Sequence, residues 1–289
     1  MPASSTEGVW PAPAKLNLFL HITGRREDGY HLLQTVFQFL DFGDRLRFCL
    51  REDGIIRRGS DLPGVAAEED LVIRAARLLQ QTAGIEQGVE IHVEKRLPMG
   101  GGLGGGSSDA ATTLVALNRL WGCHLTESAL ARLGLQLGAD VPVFIHGRAA
   151  WAEGVGEALV PVALPQPWFV VLCPPVTVST AEVFSAPQLR RDCPPITIRD
   201  FLAGGPVENV CERLVRKQYP EVDRALHELA AFAPARMTGT GACVFAAFEN
   251  EAGARQAYGE LAHAWTGFVA RGCNQSPLFY RNGEQDQTP

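Results

Sequence analysis

Four stretches of this 289-residue chain hold residue types that could do chemistry. Lys15 and Asn17 stand two apart in an alternating apolar stretch, Ala14 to Ile22, so a strand there puts both on one face. Phe19 would share that face, which argues for a covered surface, although a solvated lysine is the default reading. Pro98-Met99-Gly100-Gly101-Gly102-Leu103-Gly104-Gly105-Gly106-Ser107-Ser108-Asp109 packs six glycines into seven positions, then two hydroxyls and an acid. Glycine loses more backbone entropy on folding than any other residue, so such a run needs a reason. One reason is phosphate binding by bare backbone N–H groups at a helix start; the other is a mobile turn. Asp140 stands where a helix ends before Pro142. It is either a structural corner or a rigidly held general base. Tyr30 and His31 follow the turn signal Asp28-Gly29; alone they read as a packed aromatic and a surface histidine.

The surrounding elements must bring these residues together. Residues 1–13 read as a loose lead-in to the first strand, and Asp28-Gly29 suits a hairpin turn. Residues 32–50 alternate like two strands with a turn near Asp41 to Asp44. Residues 51–69 read as a loop or short hairpin, and Leu71 to Gln81 as a helix. Val89, Ile91 and Val93 alternate as a strand before the glycines. Ala110, Leu114, Leu117 and Trp121 recur at helical spacing after them, with Ser107, Ser108 or Asp109 as the cap. Thr126 to Leu137 is a helix that Gly138 ends in a left-handed conformation. Pro142 disfavours a helical Val141, so Asp140 to Ile145 is expected to be extended.

The second half alternates strands and helices. Strands are expected at 149–159 with a glycine turn, Trp168 to Cys173, Val244 to Phe248 and Gly267 to Ala270. Helices are expected at Ser179 to Phe184, 207–218, 221–232 and Ala252 to Ala264, and residues 185–206 are irregular. A second glycine stretch, Met237 to Cys243, precedes a strand. The whole reads as an α+β chain with a boundary near 155: residues 1–155 and 156–289.

Composition bounds the function. The net charge of −6 argues against broad nucleic-acid binding. An anionic ligand must be held by local donors instead. The seven cysteines form no C-x-x-C pair, which suits a reducing cytoplasm. No basic start and apolar core suggest a signal peptide, and no apolar run is long enough to span a membrane.

Three phosphate loops compete for the glycine run. A Walker A loop needs a lysine after its last glycine, and Ser107 follows Gly106. Gly100, Gly102 and Gly105 satisfy G-x-G-x-x-G, but the acid that a dinucleotide fold wants about 20 residues on is missing near Leu125. The third pattern resembles the ATP loop of the GHMP kinases. Pro13-Ala14-Lys15-Leu16-Asn17-Leu18, Asp28-Gly29-Tyr30-His31, Leu137-Gly138-Ala139-Asp140-Val141-Pro142 and Thr238-Gly239-Thr240-Gly241-Ala242 are similar to further signatures of one branch, in that branch's order. It acts on 4-diphosphocytidyl-2-C-methyl-D-erythritol.

The resemblance implies a two-domain GHMP kinase fold, with an N-terminal ATP-binding domain, a C-terminal substrate-side domain and the site between them. It implies ATP-dependent phosphorylation of a tertiary hydroxyl on a small molecule that carries a cytidine diphosphate, in isoprenoid synthesis. Asp140 would take the hydroxyl proton and Lys15 would steady the charge. Pro98 to Ser108 would hold ATP, with Lys95 and Asp70 on the adenine side. Many members have asparagine where Asp70 stands, and an aspartate lacks the amide donor. Tyr30 and Phe184 would sandwich cytosine with His31 on its edge. Asn17, Thr180, Thr238 and Gly239 would contact substrate. Mg²⁺ would bridge the phosphates, with Ser107 and Ser108 the nearest hydroxyls. A monomer or weak homodimer is expected. Rival readings are another GHMP small-molecule kinase, told apart by Tyr30, His31 and Phe184, and a non-catalytic metabolite sensor of the same fold.

Overall fold

Asp28-Gly29 turns the chain as its sequence signals, and the hairpin it closes is the spine of the fold. Gly29 takes a φ of 90° and the Arg26 N–H donates to Tyr30 O. The computed structural model describes residues 8–59, 62 and 64–280. The hairpin strands are β1 (Trp10–Arg25) and β2 (His31–Arg51). β3 (Ile56–Arg58) lies parallel to β4 (Gly88–Glu94), which pairs antiparallel with β2. β5 (Ala150–Glu153) joins β2 farther along, and β6 (Ala158–Pro161) joins β5. β7 (Trp168–Leu172), β8 (Ala235–Met237), β9 (Val244–Phe248) and β10 (Gly267–Cys273) form the other half. β10 ends against β2 at Leu40 and Phe39, so one sheet runs β3-β4-β2-β10-β7-β9-β8.

Helices cover this sheet: α1 (Leu71–Ala83), α2 (Gly105–Leu120), α3 (Glu127–Leu137), α4 (Val141–His146), α5 (Thr180–Ser185), α6 (Ile198–Leu202), α7 (Glu212–Gln218), α8 (Pro220–Ala230) and α9 (Glu251–Leu261). Leu79, Leu114, Leu117 and Phe144 pack with Phe37, Phe39 and Phe48 of β2 in a first apolar core. Val183, Leu226, Leu229 and Leu261 pack with Val170, Leu172 and Val244 in a second. None of the described helices is long and apolar enough to cross a membrane.

Several expectations fail here, each for a local reason. Residues 32–50 are one strand, not two. Asp41 and Asp44 look like turn residues, but each carboxylate is used within the fold. Asp41 accepts the Arg271 N–H, and buried Asp44 accepts the N–H groups of Arg96 and Leu97. Gly43 lets β1 cross closely, since a Cβ there would lie 2.1 Å from Ala12 O. The lead-in is shorter than expected, because β1 begins at Trp10; residues 1–7 of that stretch lie outside the described residues. Residues 51–69 contain β3, and residues 185–206 contain α6, at whose N-terminus Thr197 and Asp200 form a capping box. β8 is an additional strand.

α2 starts at Gly105, earlier than its apolar spacing showed, and its N-cap is left-handed Gly104 with no side-chain cap. Ser107, Ser108 and Asp109 are therefore inside the helix. Gly138 is extended at φ 172° rather than left-handed. Residues 141–146 are helical, with Pro142 in the first turn, where a missing N–H leaves nothing unpaired. Burial of Val141, Val143, Phe144 and Ile145 overrides the bias against a helical residue before proline. The helices expected to start at Thr126 and Ser179 do so with those residues as N-caps, which accept from Ala129 N–H and Glu182 N–H.

Asp44 also pairs with Lys95. The change Asp44→Ala removes an acceptor from that ammonium and from two backbone N–H groups. Urea denaturation is expected to show a loss of about 3–5 kcal/mol, the range for breaking a buried pair. A loss below about 1 kcal/mol, the usual value for an exposed pair, would show that these donors find other partners.

Candidate active site

The glycine run is held in place from behind. Gly100, Gly102 and Gly104 have φ values of 67°, 76° and 72°, a region that favours glycine. A Cβ on Gly102 would sit 2.2 Å from Thr238 O, and one on Gly104 would meet Phe144 at 2.8 Å and Lys15 Cε at 3.1 Å. The second glycine stretch is pinned to the first through its backbone. Ala242 N–H donates to Gly100 O and Cys243 N–H to Gly101 O. Lys15 N–H donates to Leu103 O, so β1 anchors the loop as well.

α2 opens onto a cavity of about 550 Å³, lined among others by Gly105, Gly106 and Ser107. The first N–H groups of a helix have no partner within it. The first turn of α2 carries no acid, so its positive end is not neutralised locally. This is a site built for anionic oxygen.

Lys15 lies at the floor of the cavity, almost fully buried. Its Nζ lies 2.5 Å from Asn17 Oδ1, 3.1 Å from Gly102 O and 3.2 Å from Asp140 Oδ2. Phe37 lies under the ammonium at 5.4 Å. Three donors thus meet three acceptors from three segments. Asn17 is fixed in turn, because its Nδ2 donates to Thr35 Oγ1 and its N–H donates to Thr238 Oγ1. Asp140 is the N-terminal flank of α4 but makes no side-chain cap. Its carboxylate is left to face Lys15 and the cavity.

A second charged group lies beside Gly105. Lys95 Nζ pairs with Asp44 and sits 2.9 Å from Asp109 Oδ2. Burial pushes the Asp109 carboxyl up to about 7; Lys95 pulls the other way and Asp44 adds to the rise. Burial lowers the Lys95 pKa, but Asp109 and Asp44 outweigh it and leave it raised. Asp70 caps α1 through Val72 N–H and pairs with Arg58 at 3.2 Å, so both of its oxygens are engaged. It still lines the cavity, as do Pro98, Met99 and Lys95. Ser107 also lines it, whereas the Ser108 hydroxyl is buried and makes no hydrogen bond. Among the described residues no group of three or more His, Cys, Asp or Glu could hold a metal ion.

The aromatic residues line an adjoining cavity of about 600 Å³. Leu33, Ala139, Val155, Thr180 and Phe184 border both cavities, which makes them continuous. The ring that meets Phe184 is that of His31, stacked at 5.2 Å and 25°. Tyr30 stands on the rim, 64% exposed. Burial, then the charges of Arg191 and Arg25, hold the His31 pKa below its ordinary value. Thr180 shares a hydrogen bond of 2.9 Å with Thr240, and Gly239 lines the first cavity. Sequence reasoning missed Asp44, Thr35, Thr240 and Arg191, and saw Asp109 only as a cap. Position along α2 could have flagged Asp109, which shares a buried side of the helix with Thr112, Thr113 and Ala116. For Asp44 and Arg191 no such pattern exists.

Residues 70–148 match the family described as GHMP kinases N terminal domain, and residues 199–267 match GHMP kinases C terminal. The chain is 63% identical over 270 residues to a 4-diphosphocytidyl-2-C-methyl-D-erythritol kinase of Nitrosococcus oceani, covering 93% of this chain and 96% of that one. It is 62% identical over 278 residues to one of Alkalilimnicola ehrlichii, covering 96% and 95%. A crystal structure of a 4-(cytidine 5'-diphospho)-2C-methyl-D-erythritol kinase aligns at TM-score 0.80 and 36% identity, covering 92% of this chain and 99% of that one. A mevalonate kinase crystal structure at 16% identity and TM-score 0.69, covering 93% and 100%, shares the fold.

The glycines of the loop are not equivalent. Gly102→Ala meets Thr238 O and a positive φ, whereas a Cβ on helical Gly106 meets Leu71 at an ordinary 3.5 Å. Thermal denaturation is expected to show Gly102→Ala destabilised by at least ~2 kcal/mol. Gly106→Ala should be neutral or stabilised by up to about 1 kcal/mol. Equal effects would mean that the loop does not hold this packing.

Proposed function

The chain belongs to the GHMP kinases, and from that premise we propose which of its residues carry out its ATP-dependent phosphorylation of 4-diphosphocytidyl-2-C-methyl-D-erythritol. The reaction moves the γ-phosphoryl of ATP to the tertiary 2-hydroxyl of the methylerythritol unit, in non-mevalonate isoprenoid synthesis. The observation that carries the assignment of roles is the Lys15–Asp140 pair. It stands 3.2 Å apart, beside the glycine loop and in a cavity continuous with the aromatic one.

Phosphoryl transfer needs positioning and charge stabilisation more than covalent help. Pro98 to Ser108 and the free N–H groups of α2 hold the phosphates. Lys95 and Asp70 wall the adenine side. A tertiary alcohol is a weak nucleophile until its proton has somewhere to go, and Asp140 accepts it. Lys15 fixes Asp140 in place and offsets the charge that develops on the reacting oxygen. Asn17 sets the direction of the Lys15 ammonium, and Thr238 holds Asn17. Gly239 and Thr180 complete the wall on the substrate side, and Tyr30, His31 and Phe184 hold the cytosine. Mg²⁺, when bound with the triphosphate, would neutralise its oxygens. Ser107 is the hydroxyl open to it, which suits an ion that keeps most of its waters. Buried Ser108 is the weaker ligand.

The N-terminal ATP-binding domain is residues 1–155 and the C-terminal domain 156–289, the division falling in the turn between β5 and β6. The assembly proposed with this site is a monomer or weak homodimer. Seven cysteines, none of them in a disulfide, fit work in a reducing cytoplasm.

Purified protein is tested with ATP, Mg²⁺ and a panel of alcohols: the cytidine substrate, mevalonate, homoserine and galactose. Turnover of the first alone is expected. Asp140→Asn should lower kcat at least ~100-fold, the usual scale for a general base, with KM for ATP little changed. Near-normal turnover by that variant would remove Asp140 from the mechanism.

A further inference from the structure

Arg191 belongs to the proline-rich segment after α5, far from β1, the glycine loops and Asp140 in sequence. Its guanidinium makes four hydrogen bonds. Two run from Nη2 to Phe184 O at 2.8 Å and Ala186 O at 2.9 Å, and one from Nη1 to Leu189 O at 2.9 Å. The fourth runs from Nε to His31 Nε2 at 2.9 Å. One side chain therefore grips the backbone of Phe184 and the ring of His31, the two rings that stack on each other.

An arginine N–H can only donate, so the nitrogen that receives it carries no proton. We propose that Arg191 is a positioning residue that holds His31 as the neutral tautomer protonated on Nδ1, and ties that ring to Phe184 before the pyrimidine of the substrate arrives. This rests on the reading of the aromatic cavity as the cytosine site. A histidine free to switch tautomers would present either nitrogen as donor. The fixed ring offers one donor, Nδ1–H, and discriminates between acceptor and donor edges of a base. The charged groups around the ring are Arg25 and Asp28 of the hairpin and Arg191 opposite. Burial and the two arginines oppose a second proton, which keeps the ring neutral.

The test reads the ring itself. Long-range proton–nitrogen spectra of ¹⁵N-labelled, ligand-free protein report which nitrogen is protonated, with His31 assigned by its loss in His31→Gln. In the unaltered protein the expected result is protonated Nδ1 and bare Nε2, with a titration midpoint below 6.5. In Arg191→Gln the proton is expected to move to Nε2 in part and the midpoint to rise. KM for the cytidine substrate should rise about ten-fold, the scale of one hydrogen bond to a charged group. kcat and KM for ATP should stay within about two-fold, since no transition-state contact is lost. A protonated Nε2 in the unaltered protein overturns the proposal, and that spectrum needs no variant to fold. So does an unchanged tautomer and KM in Arg191→Gln. The spectra need no substrate: the expected tautomer in a protein that fails to turn over the cytidine compound would sink the functional reading alone.

Discussion

A lysine ammonium with almost no solvent is the constraint on which this site depends. Burying a charge is tolerable only where partners replace water on every proton. Lys15 meets that demand with Asn17 from its own strand, Gly102 O from the glycine loop and Asp140 from the start of α4. Gly102 lies 87 residues along the chain from Lys15, and Asp140 lies farther still. Moving any of them away would leave a bare charge in an apolar surround, with Phe37 on one side. The pair therefore aligns the phosphate cradle with the carboxylate and would also serve in the reaction. A Walker loop carries its own lysine. This loop has none, and its missing cation arrives on β1.

The two glycine stretches act as one backbone unit. The first cannot approach Thr238 with a side chain on Gly102, and the second lends it Ala242 and Cys243 N–H groups. Cys243 leads directly into β9, and Lys15 lies within β1. The cradle is thus bolted to strands of both halves of the sheet. Backbone hydrogen bonds to strands leave less freedom than side-chain contacts would, which suits a reaction driven by positioning.

Much of this was legible in sequence because it is local. The strand, loop and helix around the glycines, the Asp28-Gly29 hairpin, and the helix starts at Thr126 and Ser179 follow from spacing and turn chemistry. The lapses share one physical cause: a tertiary partner overrides a local signal. Asp41 and Asp44 look like a turn until Arg271, Arg96 and Leu97 N–H groups are found on them. Val141 looks extended until its own burial and that of Val143, Phe144 and Ile145 hold α4 helical. Lys95 was seen as a residue beside the loop, but the two carboxylates around it are 51 and 14 residues away and no period connects them. The cytosine clamp was legible only as a resemblance. Its structure differs in one respect, since His31 rather than Tyr30 faces Phe184.

The continuity of the two cavities separates recognition from chemistry. In the proposed reading the base of the substrate lies among Tyr30, His31 and Phe184, and the reacting hydroxyl near Lys15 and Asp140. Binding energy gained at the remote end then tightens the ground and transition states alike, which lowers KM and leaves kcat to the groups around the hydroxyl. That works only if the remote end is rigid. A loose clamp would spend its contacts on ordering itself, at about 0.5–1.5 kcal/mol for each side chain immobilised. Arg191, by gripping three carbonyls and a ring nitrogen at once, removes that loss in advance. The carbonyls of Ala186 and Leu189, in the irregular segment after α5, each accept from that guanidinium.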